Sequence, residues 1–136
     1  MAFTHGKNTI FKIDDSGNTL QDISAYVTNV DFPQPIDTVE TTTFGNSSKT
    51  YIPGLKDANI SIEGEWDPTV DGYLAGIVGG DAGDFEYGPE GSTAGDIKYS
   101  GSCICTGYNV KSSISGEVKF SATFQVTGDV TRGTYV

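Results

Sequence analysis

The chain has 136 residues, 36% of them hydrophobic, with eight Lys plus Arg against eighteen Asp plus Glu and a formal net charge of −10. That length fits one domain around one core. The acidic balance argues against a phosphate-gripping surface, because nucleic-acid affinity comes mainly from Lys and Arg contacts, and no apolar run approaches the ~20 residues of a membrane-spanning helix.

The N-terminal Met-Ala-Phe-Thr-His-Gly-Lys has no apolar leader core, so the expectation is synthesis in a cytosol. Residues 8–13, Asn-Thr-Ile-Phe-Lys-Ile, read as a first strand. Asp14-Asp15-Ser16-Gly17-Asn18 is a turn built from residues that bond their own backbone or tolerate positive φ. It has a superficial likeness to a calcium loop, but the required acidic spacing and the late Glu are absent. Residues 20–26 are either a short helical turn or an irregular strand. Residues 27–32 form a strand that Pro33 and Pro35 stop.

Residues 37–57 are rich in Thr, Ser and Asn and too long for a tight hairpin turn. A connection of this length in a small domain is functional or disordered. This one also carries Phe44, Tyr51, Ile52 and Leu55, which a simple disordered linker would lack. The pattern is that of an arm with apolar anchors, suited to docking on a neighbouring subunit.

Residues 58–66 alternate strictly, with Ala58, Ile60, Ile62, Gly64 and Trp66 on one face and Asn59, Ser61, Glu63 and Glu65 on the other. A helix over about 68–78 follows, with Asp67 as N-cap and Pro68 at its first position. Val70, Tyr73, Leu74 and Ile77 share one helical face, and Gly79-Gly80 is the expected stop. Phe85-Glu86-Tyr87 is a short strand before a Gly-, Pro- and Ser-rich loop that runs to Gly95. Residues 96–110 form a long strand with Gly101 and Gly107 as bend or bulge points. In residues 114–126, Val118, Phe120, Ala122, Phe124 and Val126 take one face, and Glu117, Lys119, Ser121, Thr123 and Gln125 the other. The polar tail 127–136, ending Tyr135-Val136, and residues 1–8 are candidate terminal arms.

The two cysteines, Cys103 and Cys105, lie on one face of a strand roughly 6.5–7 Å apart, at the upper limit for a disulfide. They read as two reduced, packed thiols. Neither a metal site nor a cofactor site is legible, and the only histidine is His5. No serine sits in a G-x-S-x-G context, and no P-loop or dinucleotide fingerprint occurs. Glu63 and Glu65 read as solvated strand positions. Trp66 could offer a stacking platform, but its apolar phase with Ile60 and Ile62 favours a place under the helix. Non-catalytic function is the expectation. The fold expected is a single mostly-β domain over 1–136, an antiparallel β-sandwich or barrel with one short helix and a long inter-strand arm.

Three runs carry a family resemblance: Asp31-Phe32-Pro33, then Ile36-Asp37-Thr38 with Glu40-Thr41-Thr42-Thr43-Phe44-Gly45, then Tyr51-Ile52-Pro53-Gly54-Leu55-Lys56-Asp57-Ala58. They continue through Ile60 to Asp67, and the middle third of the chain resembles the major tail tube proteins of long-tailed, non-contractile bacteriophages. The strand-rich final third fits more loosely. The resemblance implies a structural virion protein of the tail, made in the host cytoplasm. It would assemble as stacked homo-hexameric rings into the conduit for genome delivery. Implied partners are a tape-measure protein, the tail initiator or distal tail protein, the tail terminator, and DNA that passes without specific binding, with no membrane. Phe44, Tyr51, Ile52, Leu55 and Tyr135 are the candidate intersubunit contacts. The alternatives are a head decoration or head–tail joining protein, or a carbohydrate-binding β-sandwich module using Trp66 or surface tyrosines.

Overall fold

Alternating patterns and turn residues become strands in a computed structural model that describes residues 6–136. A 3-10 turn at Gly6–Asn8 precedes β1 (Ile10–Asp14), β2 (Leu20–Asp22), β3 (Val27–Asp31), β4 (Ile36–Glu40), β5 (Tyr51–Lys56) and β6 (Asn59–Glu65). Helix α1 (Pro68–Ala75) then leads to β7 (Gly83–Gly88), β8 (Ile97–Lys111) and β9 (Lys119–Thr134). Seven strands form one sheet in the order β2-β1-β7-β8-β9-β6-β3, and β4 and β5 pair separately. Every strand pair is antiparallel.

The sheet is open, with β2 and β3 at its edges, so of the two architectures expected the closed barrel does not form. Instead the sheet curls across its own inner face. Phe11 on β1 and Phe124 on β9 are three strand steps apart, about 14 Å along a flat sheet, yet their ring centroids lie 6.2 Å apart. Phe32, just past the β3 edge, sits edge-on to Phe85 at 5.8 Å and to Tyr99 at 5.7 Å. Inside the curl lie Phe11, Ile13, Ile60, Ile62, Phe85, Phe120, Phe124 and the helix residues Val70 and Leu74, all buried. The apolar phases read from 58–66 and from Phe120 to Val126 are therefore the core faces of β6 and β9.

Local chemistry fixes each connection. Asp15 Oδ1 accepts from the N–H groups of Gly17 (2.8 Å) and Thr19 (3.1 Å), and its Oδ2 accepts from Gln21 Nε2 (3.0 Å). These bonds, the Thr19 N–H first, hold the Asp15 carboxyl below its ordinary pKa. The turn thus consumes its own carboxylate. Residues 20–26, left open as helical turn or strand, contain β2. Asp67 caps α1 by accepting from Thr69 N–H at 2.8 Å. The helix ends at Ala75, short of the expected 78, because Val78 leaves it to bridge β8 at Cys105. The Gly79 N–H then donates to Cys105 O at 3.0 Å, with Gly79 at φ +73°. Trp66 Nε1 donates to Asp71 Oδ1 at 3.2 Å, and Tyr108 Oη donates to the same oxygen at 2.7 Å. Asp71 thereby ties the helix to the end of β6 and to β8.

The β8–β9 pairing shifts register twice: between Ser100 and Ser102 the extra residues lie on β9, opposite Gly101, and between Cys105 and Gly107 the extra residue is Thr106, so each expected glycine lies at an irregularity. β9 begins at Lys119 and not at 114; residues 112–118 form the loop that joins it to β8. It runs on to Thr134, pairing along Ile97–Ser100 of β8, so the segment 127–134 is strand. Of the candidate N-terminal arm, residues 1–5, His5 included, lie outside the described residues. Gly64 is required on β6: a Cβ there would overlap the Tyr26 carbonyl, which accepts the Glu65 N–H at 2.8 Å.

Cys103 and Cys105 are both buried and unbridged. Burial pushes the Cys103 thiol up to about 12, with smaller contributions from Cys105, Asp14 and Asp84. Burial raises the Cys105 thiol as well, and likewise the Tyr108 phenol, with Asp71 adding to it.

Three expectations follow from this packing. Phe120→Ala or Phe124→Ala should each cost about 3–5 kcal/mol in urea unfolding, whereas Lys119→Gln on the outer face should stay within about 0.5 kcal/mol. Gly64→Ala should destabilise the fold through the clash at Tyr26, and a neutral result would overturn that close approach. The raised thiols and phenol bind their protons more tightly folded than unfolded. For Cys103 the contribution to stability is fully present below the unfolded thiol pKa near 9 and is lost as pH rises toward about 12. Unfolding midpoints measured across that window should fall; a flat alkaline profile would contradict the burial.

Candidate self-assembly surface

The chain leaves β3 at Asp31, passes Pro33 and Pro35, and forms the β4–β5 hairpin before re-entering the sheet as β6. At its base the Asp57 N–H donates to Pro35 O at 3.1 Å, and the Asn59 N–H donates to Pro33 O at 3.1 Å. At its outer end the Thr41 N–H donates to Thr50 O at 2.7 Å, the two threonine hydroxyls lie 2.9 Å apart, and the Thr50 N–H donates to Thr42 Oγ1 at 2.8 Å. Gly45, at φ +96°, turns the tip. The Thr-rich composition that looks like linker is therefore a closing clasp. Pairing runs from Ile36 opposite Lys56 to Glu40 opposite Tyr51, with a register shift between Ile36 and Thr38.

No strand of the main sheet pairs with this hairpin. Phe44 and Leu55 are the most open of its apolar side chains, at 108% and 85% exposure. Tyr51 and Ile52 are each about half exposed. Four of the five residues expected at subunit contacts thus fall on one projecting ribbon. Two further apolar residues of the ribbon, Ile36 and Val39 on β4, which the sequence reading did not single out, are also about half exposed. Val39 stands directly opposite Ile52. Their signal was present as apolar positions facing apolar positions across a Thr-rich turn. Single exposed apolar residues are normal; several gathered on one two-stranded ribbon make it the candidate interaction surface.

Tyr135 is elsewhere. Its backbone N–H donates to Asp96 O at 2.9 Å. Its ring lies beneath Lys98 Nζ at 5.3 Å and near Lys12 Nζ at 5.8 Å. Burial raises its phenol to about 12, followed by the charge of Glu86. Trp66 is bonded to Asp71 and packed against the core.

A recess between the β1–β2 turn and the segment after α1 includes Asp14, Asp15, Asp81 and both cysteines. Asp14 Oδ2 accepts the Asp84 N–H at 2.9 Å, and Asp15 is engaged in its turn. Among the described residues no group of three or more His, Cys, Asp or Glu is placed to hold a metal ion.

No family model matches this sequence, and no curated protein matches it. Solved structures do match, over nearly the whole chain. A chain in the virion of a native gene transfer agent particle superposes with a TM-score of 0.80 at 19% identity, covering 97% of this chain and 100% of that one. A chain in the tail of an empty gene transfer agent particle, of C6 symmetry, gives 0.79 at 17% identity, with 97% and 100% covered. The SPP1 tail tube gives 0.74 at 10% identity, with 98% of this chain and 81% of that one covered. The open curled sheet, the helix and the hairpin thus make up a fold similar to that of chains in a gene transfer agent tail and in the SPP1 tail tube.

Proposed function

We propose that this chain is a structural subunit of a phage-type tail tube, assembling with copies of itself as stacked rings of six into the conduit for genome delivery. The observation that carries the reading is a ribbon of apolar residues, left exposed among the described residues, on a fold shared over nearly its whole length with chains of assembled tails. The role is mechanical and not catalytic, and its place is the virion tail. Copies would be made in the host cytoplasm and kept soluble by the acidic balance. A tape-measure protein, a tail initiator and a tail terminator are the further partners of such a tube.

The outer face of β8, β9, β6 and β3 suits a bore. Across it lie Asn109, Ser121, Thr123, Gln125, Asn59 and Ser61, with the carboxylates of Glu63 and Asp31 among their hydroxyls and amides. Lys111 and Lys119 face each other at one end, with Lys119 Nζ 3.8 Å from Glu65 Oε1. Few cationic grips means little salt-sensitive affinity for a passing polyanion. A head decoration or head–tail joining role is less favoured, because the structural matches include whole tails and tubes. A carbohydrate platform is also less favoured, because Trp66 is engaged inside the chain.

Negative-stain microscopy of concentrated protein should show filaments with a central channel. Trimers, or a single closed ring that never stacks, would overturn the tube. Amides of residues 37–57 should exchange quickly in the monomer and slowly in filaments. Phe44→Ser or Leu55→Ser should leave monomer stability within about 0.5 kcal/mol and abolish filaments; unaltered assembly would remove the hairpin from the interface.

A further inference from the structure

The strand register roots two loops with exposed apolar tips at opposite ends of β6. β6 pairs with β9 from Asn59 opposite Gln125 to Glu65 opposite Lys119. The β4–β5 hairpin is rooted at the Asn59 end. The loop 112–118 lies at the Glu65 end, where the Trp66 N–H donates to Val118 O at 3.0 Å. About 20 Å of strand separates the two roots. Each tip presents one fully exposed apolar side chain, Phe44 on the first and Ile114 on the second. Each loop also carries a single charge, and the signs are opposite: Lys49 within 41–50 and Glu117 within 112–118.

Like-with-like pairing of the tips would set Lys49 against Lys49, or Glu117 against Glu117. Unlike pairing sets Lys49 against Glu117. Complementary patches at opposite ends of one molecule generate a head-to-tail contact, which stacks copies into an open filament when the rotation between them does not close a ring. The hydrogen bonding and charge of nearby Glu65 raise the Glu117 carboxyl pKa, with Lys119 acting in the opposite direction. The other charges at that root are Lys119, already beside Glu65, and Lys111 across from it.

We propose that the β4–β5 tip of one copy docks on the 112–118 loop of the next copy along the tube axis, Phe44 against Ile114 and Lys49 against Glu117. This rests on the tube reading and assigns the receiving surface for its hairpin.

The test uses full-length F44C and I114C variants, purified separately, mixed with wild-type carrier, assembled, and treated with a short bis-maleimide. Cys103 and Cys105 are buried and should stay silent, as a wild-type control checks. Cross-linked dimer should appear in filaments containing both variants at about tenfold or more the level in filaments containing either alone. Equal cross-linking in single-variant filaments, or none in mixed filaments, would overturn the docking and leave the tube intact. Absence of any filament from wild-type protein would instead remove the tube reading and this inference with it. An independent arm swaps charges: K49E or E117K alone should raise the half-assembly concentration about threefold or more, and the double variant should return it to within about twofold of wild type. A double variant as impaired as the two singles combined would also overturn the pairing.

Discussion

The structure depends on one problem of coverage. A seven-stranded sheet has a wide inner face, and among the described residues one α-helix, of eight residues, is supplied to cover it. Helix α1 contributes Val70 and Leu74 to the core, too little apolar area for the purpose. The sheet therefore covers itself, curling until Phe11 meets Phe124 and Phe32 meets Phe85. Burial of apolar area is the main favourable term in folding, and curling is how a chain with 36% hydrophobic residues obtains enough of it. The bulges at Gly101 and Gly107 and the glycine at position 64 permit the bend and the close approach it requires.

Curling divides the surface into parts with different chemistry. The outer face keeps the polar half of each alternating strand. The short strands β2 and β3 are left at open edges, which natural sheets keep short or irregular to discourage unwanted pairing. The β4–β5 hairpin is left outside the curl entirely. Two strands alone are marginal in water, and this pair exposes apolar side chains rather than burying them. The Thr41–Thr50 clasp and the Pro33 and Pro35 carbonyls hold its backbone. What remains unsatisfied is side-chain apolar surface, the kind that a neighbouring protein surface removes from water.

The same structure accounts for polar groups that invite a chemical reading. Asp71 accepts from Trp66 and Tyr108, Asp14 from the Asp84 backbone, and Asp15 from its own turn. Each carboxylate is engaged in holding two elements together. The thiol of Cys103 is buried and held near 12, far from the thiolate that reactivity requires.

Some of this was legible residue by residue. The alternation of β6 and of Phe120 to Val126 reports burial directly, because a strand's period of two is fixed by its backbone. Asp67-Pro68 announces a helix start through local bonding alone. Gly101 and Gly107 announce bulges because few other residues fit there. That 37–57 stands apart from the core was legible because a polar stretch with isolated apolar residues matches neither a core strand nor a linker; that it pairs with itself as the β4–β5 hairpin was not. What the sequence left open depends on partners distant along the chain. The helix stops at Ala75 because Val78 finds β8, and β9 reaches Thr134 because Ile97–Ser100 lies alongside it. The placement of Tyr135 beneath Lys98, away from the hairpin, has the same kind of cause. The choice of open curl over closed barrel, and the rooting of the Phe44 and Ile114 loops at opposite ends of β6, follow from strand order and register. Those are set by which faces can be buried together, and only the assembled tertiary structure decides that.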